Sequence, residues 1–167
     1  NYSLGNSSTN EGTTGSLTLT SAVSCPFARV ITLRTAPGTA VDGINYNGFL
    51  NSSVTLLSGN TTVSVPVTTI DDHLSGPDLT VLVSLVNEPT VVGVLTVVDI
   101  NPPPTLTWTV ASQSLSEGLG TASIGWQLNS VSAKTISATV GFSGTATNAT
   151  DYSYPQATIS IPPGTTS

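Results

Sequence analysis

The chain has 167 residues, 38% of them hydrophobic and only 7% charged, with a formal net charge of −6. Soluble domains carry roughly 25% charged residues; here 23 Ser and 28 Thr supply the polar surface instead. Three cations in all exclude the clustered basic footprint of a nucleic-acid binder, no apolar run reaches the about eighteen residues of a membrane span, and one His with one Cys excludes a four-ligand zinc site.

Helix formers are scarce, and 15 Gly with 11 Pro divide the chain into short β-branched runs, the pattern of a sandwich or barrel. Leu17 and Leu19 alternate with Ser16, Thr18 and Thr20, which predicts a first long strand. Cys25 follows in a Ser24-Cys25-Pro26-Phe27 loop; with no second cysteine it is a small apolar residue or a thiol open to an intermolecular bond. Residues 30–35 form the next strand. Residues 54–57 and 63–67 flank Ser58-Gly59-Asn60, which predicts a hairpin turn between them. Leu79, Val81, Val83 and Leu85 give an inward face of period two, whereas residues 91–100 are apolar on both faces and periodicity does not orient them. Six or seven strands in about a hundred residues is the size of an immunoglobulin-like sandwich.

The chain then repeats itself. Glu11-Gly12 returns as Glu117-Gly118, Gly38-Thr39-Ala40 as Gly144-Thr145-Ala146, and Asn45-Tyr46 as Asp151-Tyr152, each 106 residues on. Tyr2 falls on Trp108 at the same spacing, and Gly59 matches Gly164 after one deletion. The expected organisation is a first sandwich over 1–101, a Pro-rich junction at 102–104 and the N-terminal half of a second sandwich over 105–167. Three consecutive prolines favour an extended, stiff connector, so the units are expected to stack end to end. The counterparts of 63–67, 79–85 and 91–100 are missing from the second unit. A longer natural chain, or strands donated by a neighbour, is therefore expected to complete it. With no initial Met and no signal peptide, the chain is expected to be a mature product or a fragment. Gly38 and Gly144 are expected where the backbone needs an unusual angle, and the Tyr of each Asn/Asp-Tyr pair to bury its ring.

These residues resemble the Calx-β family, the repeat found in the regulatory loop of the sodium–calcium exchanger, in integrin β4 and in many bacterial surface proteins. The likeness rests on Glu11-Gly12, on 35–40 running to Asn45-Tyr46, on Val54-Thr55-Leu56, on Val65-Pro66-Val67 before Asp71-Asp72, and on a closing strand that ends at Asp99. In the second unit it rests on Glu117-Gly118, on 142–146, on Asp151-Tyr152 and on Ile161-Pro162-Pro163-Gly164. The resemblance implies an all-β fold of tandem immunoglobulin-like antiparallel β-sandwiches, the second one incomplete. It also implies a Ca²⁺ site drawn from Glu11, Asn45, Asp71, Asp72 and Asp99, with Glu117 and Asp151 as its partial counterpart. Convergent oxygen ligands suit Ca²⁺, which takes about six to eight of them. Asn45 stands where the family has Asp, and Gly76-Pro77-Asp78 replaces a further acidic residue, so binding is expected in the weak, millimolar class of extracellular modules.

Other signals carry less. His73 beside Asp71-Asp72 reads as a solvated loop histidine or a weak metal neighbour, since no nucleophile elbow accompanies it. Asp71 and Asp72 as catalytic carboxylates are excluded on the expectation that neighbours on a strand point to opposite faces, so no enzyme is expected. Asn-x-Ser/Thr sequons occur at Asn1, Asn6, Asn51, Asn60 and Asn148, which are expected in exposed turns. Trp126 alternates with Ile124 and Leu128 and is expected in the core, and Trp108 at the junction between units; no surface aromatic patch is visible. The function expected is an extracellular structural or adhesive module of a stiff rod or fibril, calcium-rigidified, on a cell surface or virion. Its partners would be other copies of the chain or other surface or virion proteins. The alternatives are a regulatory calcium sensor, a phage decoration or tail-fibre component, and a carbohydrate-binding sandwich.

Overall fold

Alternation decides the layers. In the computed structural model, which describes residues 1–118, 120–154 and 158–167, the first unit comprises Asn1–His73 and Pro77–Ile100. Its strands are β1 (Tyr2–Leu4), β2 (Ser7–Asn10), β3 (Thr14–Ser21), β4 (Arg29–Pro37), β5 (Ser52–Leu56), β6 (Thr62–Thr68), β7 (Leu79–Leu85) and β8 (Val92–Val98). They form one sheet in the order β1-β3-β6 and a second in the order β2-β8-β7-β4-β5. Leu17 and Leu19 on β3 and Val65 and Val67 on β6 share a core with Leu33 on β4, Val81 and Val83 on β7 and Leu95 on β8, all essentially inaccessible to water. Each such side chain contributes about 1.5–3 kcal/mol by leaving water. The intervening Ser16, Thr18 and Ser64 face solvent, so hydroxyls replace charges on the outer face.

The fold is all-β and Calx-β-like, as expected, with two departures in its wiring. Pairing is antiparallel except for β2 with β8, which run parallel from Ser7↔Leu95 to Asn10↔Val98. The N-terminal segment switches sheets at Gly5, so β1 pairs with β3 while β2 crosses to the other layer. The expected hairpin at Ser58-Gly59-Asn60 is not one. β5 pairs with β4 and β6 with β3, so the turn arches from one sheet to the other. Gly59, at φ 82°, makes that arch and donates its N–H to the Cys25 carbonyl at 2.7 Å; Cys25 is buried beneath it. On β8, Gly93, Leu95 and Val97 point inward while Val94, Thr96 and Val98 are half-covered, which is why periodicity left this strand unoriented.

The second unit takes Leu74–Gly76 with Asn101–Ser167. It holds β9 (Leu106–Trp108), β10 (Trp126–Leu128), β11 (Ile136–Thr139) and β12 (Thr158–Ile161), paired as β9–β10 and β11–β12. Leu128, Ile159 and Ile161 form its small core, with Trp126 half-buried against them. Trp108 packs edge-on against Trp126, ring centroids 6.1 Å apart. Phe142, Tyr152 and Tyr154 form an aromatic group at 4.4–6.1 Å spacing that sequence inspection missed, because its members lie on separate segments. Gln156 and its neighbours Pro155 and Ala157, with Leu119, lie outside the described residues.

One loop recurs in detail. Asn45 N–H bonds the Val41 carbonyl, Gly43 N–H bonds the Tyr46 carbonyl, and the Asn45 side chain accepts from Val41 N–H at 2.9 Å. Asp151, Ala149 and Thr147 repeat each of these bonds, the last at 2.7 Å from Thr147 N–H to Asp151 Oδ2. Both loops place positive φ at the same step, Gly43 at 77° and Ala149 at 70°. Gly144 has a left-handed φ of 144°, but Gly38 does not. Gly38 is required for space instead: a Cβ there would lie 2.6 Å from the Thr80 carbonyl oxygen.

Candidate metal centre

Three segments of the first unit converge on one group of carboxylates. The first is the Glu11-Gly12 turn that leaves β2, tied down by Glu11 N–H to the Val98 carbonyl at 3.0 Å. Gly12 has φ 70°, and a Cβ there would stand 3.2 Å from the Cβ of Asp71, so the turn lies directly on the second segment. That segment follows β6. Thr69 is buried, and its hydroxyl accepts Thr13 N–H at 3.1 Å and donates to the Thr13 carbonyl at 2.7 Å, which locks the exit of β6 to the turn. The third is the end of β8, where Asp99 N–H donates to Asp78 Oδ1 at 3.1 Å.

Glu11, Asp71 and Asp72 each place one carboxylate oxygen within 4.8 Å of the others. Oxygens on one Ca²⁺ lie about 2.3–2.6 Å from it, so ligands across the ion stand up to about 5 Å apart and this group is the right size. Among the described residues, no other three His, Cys, Asp or Glu side chains are so gathered. The donors are hard carboxylate oxygens, which fit Ca²⁺ and not a thiolate- or imidazole-seeking metal. Glu11 is buried, and burial foremost pushes its pKa above 4.5. Its N–H bond from Ile100, at 3.2 Å, pulls the other way, while contact with Asp99 and the charge of Asp71 push it further up. A cation placed among these groups would remove that mutual repulsion.

The expectation that Asp71 and Asp72 face opposite ways is overturned. They lie beyond β6, where the backbone has left the strand, and His73 turns it sharply at φ 60°. Asp71 accepts His73 N–H at 2.8 Å, and the His73 Nδ1 lies 2.9 Å from Asp71 Oδ2 with the imidazole 82% exposed. Asn45 is brought to the group but in a different role from a ligand. Its Oδ1 is taken by Val41 N–H, and its Nδ2 donates to Asp72 Oδ2 at 2.9 Å. Asn45 therefore turns a donor, not an acceptor, toward the carboxylates. Asp99 contacts Glu11 at the margin of the group. In the second unit Glu117 is exposed beside Gly118, and Asp151 is exposed with Oδ2 on Thr147 N–H; neither belongs to a group of three.

No protein-family model matches the chain, and no characterised protein matches it by sequence. Solved structures do. CBD12 from CALX1.2 is similar at a TM-score of 0.53 and 15% identity, covering 99% of this chain and 72% of that one. The calcium binding domain CBD12 of CALX1.1 is similar at 0.54 and 13%, with the same coverage of 99% and 72%. The apo-form Calx CBD1 domain is similar at 0.50 and 14%, covering 60% of this chain and 96% of that one. At these identities the likeness establishes the fold.

Proposed function

We infer that the first unit is a weak calcium-binding module and that the chain serves a non-enzymatic, structural or adhesive role outside the cell. One observation carries the calcium reading: the oxygens of Glu11, Asp71 and Asp72, from segments far apart in sequence, lie within 4.8 Å of one another. Glu11, Asp71 and Asp72 would hold the ion, Asp99 would lie beside them, and water would complete the shell. The ion would supply charge neutralisation that ties the β2, β6 and β8 ends together. A similar solved structure is itself described as a calcium binding domain. Support for an extracellular setting comes from a surface with 7% charged residues and 51 hydroxyl side chains, and from sequon asparagines Asn1, Asn6, Asn51, Asn60 and Asn148 that are all exposed. Copies of the chain, or other surface or virion proteins, are the partners this role calls for.

The test is calorimetric titration of calcium into the chelator-treated chain. A single site with Kd of about 10⁻⁴–10⁻³ M, lost in Glu11→Gln/Asp72→Asn, is expected. No heat and no thermal shift at millimolar calcium would remove the reading. Micromolar affinity would favour the regulatory sensor instead, since sensor sites lie near 10⁻⁷–10⁻⁵ M, roughly a hundredfold tighter.

A further inference from the structure

The first unit shows what the second lacks. In the first, β3 lies between β1 and β6, and β4 lies between β5 and β7. In the second, the corresponding pairs are β9–β10 and β11–β12, and among the described residues no strand pairs with the other edge of β10 or β11. The correspondence does not rest on strand count alone. The loop between β11 and β12 reproduces, bond for bond, the 41–46 loop between β4 and β5.

Exposure changes where those partners are missing. Leu4 is 9% exposed, whereas Val110, at the equivalent step, is 51% exposed. Ala40 is buried and Ala146 exposed. Tyr46 is 1% exposed and bridges Thr69, just past the end of β6; Tyr152, its equivalent, is only half-buried and stacks with Tyr154 and a 40%-exposed Phe142. Apolar surface and open strand edges thus coincide. Neither β10 (Trp-Gln-Leu) nor β11 (Ile-Ser-Ala-Thr) carries a proline or a charge to repel an incoming strand. On β6, by contrast, Pro66 interrupts the outer edge of its sheet.

We propose that the second unit is an acceptor for a separate polypeptide strand. The occupant is an extended segment with β-branched residues at alternate positions, of the Thr-Val-Ser-Val-Pro-Val-Thr type found in Thr62–Thr68. It adds antiparallel to β10 and covers the aromatic group formed by Phe142, Tyr152 and Tyr154. Its register is set by the template in the first unit, where β6 pairs with β3 over seven residues, from Thr14↔Thr68 to Thr20↔Thr62. Main-chain bonds would give affinity and the alternate valines specificity. This goes beyond the calcium reading and does not depend on it.

Both tryptophans, Trp108 and Trp126, lie in the second unit, so intrinsic tryptophan fluorescence reports on it alone. The experiment adds a synthetic peptide with the sequence of residues 61–69 to the full chain in chelator. It follows tryptophan emission and amide exchange, with a peptide N-methylated at alternate amides as control. The expected result is a saturable blue shift and slowed exchange at Trp126, Gln127 and Leu128 with the plain peptide, and neither with the N-methylated one. No shift and no protection at millimolar peptide overturns the proposal. Equal binding of the N-methylated peptide overturns it too, because adsorption to the aromatic group needs no ladder. Protection of β10 that appears without peptide and grows with protein concentration assigns the edge to a second copy and likewise overturns it.

Discussion

Gly38→Ala separates crowding from backbone conformation as the reason a glycine is needed. The added methyl would stand 2.6 Å from the Thr80 carbonyl oxygen and 3.1 Å from its carbonyl carbon. That oxygen accepts the N–H groups of Gly38, Thr39 and Ala40 at 3.2, 3.1 and 3.0 Å, so it cannot retreat without loosening all three. Thr80 N–H also donates to Thr39 Oγ1 at 2.9 Å, which holds the carbonyl's own peptide chain in place. Overpacking costs about 1–3 kcal/mol, and an obstacle fixed this firmly belongs at the upper end, about 2–3 kcal/mol. For a unit of about a hundred residues that lowers the melting temperature by roughly 10–20 °C. Gly59 supplies the contrast: its φ is 82° and nothing lies within 4 Å of a Cβ there. Gly59→Ala should cost about 1–2 kcal/mol, the left-handed penalty, and Gly59→Asn should recover most of it, because Asn tolerates that region. Gly38→Asn should be no better than Gly38→Ala. Scanning calorimetry of the four variants reads the pattern. A Gly38→Ala melt within about 2 °C of the parent, or rescue by Gly38→Asn, would refute the crowding argument.

Three further outcomes follow from the carboxylate group. The folded state holds a proton on Glu11 more readily than the unfolded chain does, so stability in chelator should fall as pH rises from 4.5 through the raised pKa. The gain is complete below 4.5, and Glu11→Gln should abolish the slope in pH-dependent melts. Asn45→Asp keeps the acceptor for Val41 N–H, as Asp151 does in its own loop. It replaces the donor to Asp72 with a carboxylate, so calorimetry should show tighter calcium binding and a lower melting temperature without calcium. His73→Ala frees Asp71 Oδ2 and should raise calcium affinity by about two- to fivefold, the ~0.2–1 kcal/mol scale of an exposed pair; unchanged affinity would show that His73 does not compete.

Local pattern carried most of the fold. Leu17 and Leu19, and Leu79 to Leu85, alternate cleanly because one face of each strand meets the core, and the structure buries those faces. Which sheet a strand joins was not legible. Ser58-Gly59-Asn60 announces a turn, but a hairpin and an arch between layers share that signal, and only the partners of β5 and β6 decide. Glu11, Asp71 and Asp72 were legible as acids at strand ends. Their convergence was not, because it depends on the chain leaving the strand after Thr68 and on the φ of His73. The donor role of Asn45 follows from which of its side-chain atoms Val41 N–H takes, a choice residue type alone does not make.

The most direct test of the calcium centre is a crystal structure of the chain grown in about 10 mM calcium, well above the millimolar class of extracellular sites, with anomalous scattering recorded. One ion is predicted, bound by Glu11, Asp71 and Asp72 oxygens at about 2.3–2.6 Å, with the Asn45 Nδ2 still on Asp72. No anomalous peak among those carboxylates, or an ion held elsewhere while Glu11 keeps its present contacts, would contradict the account.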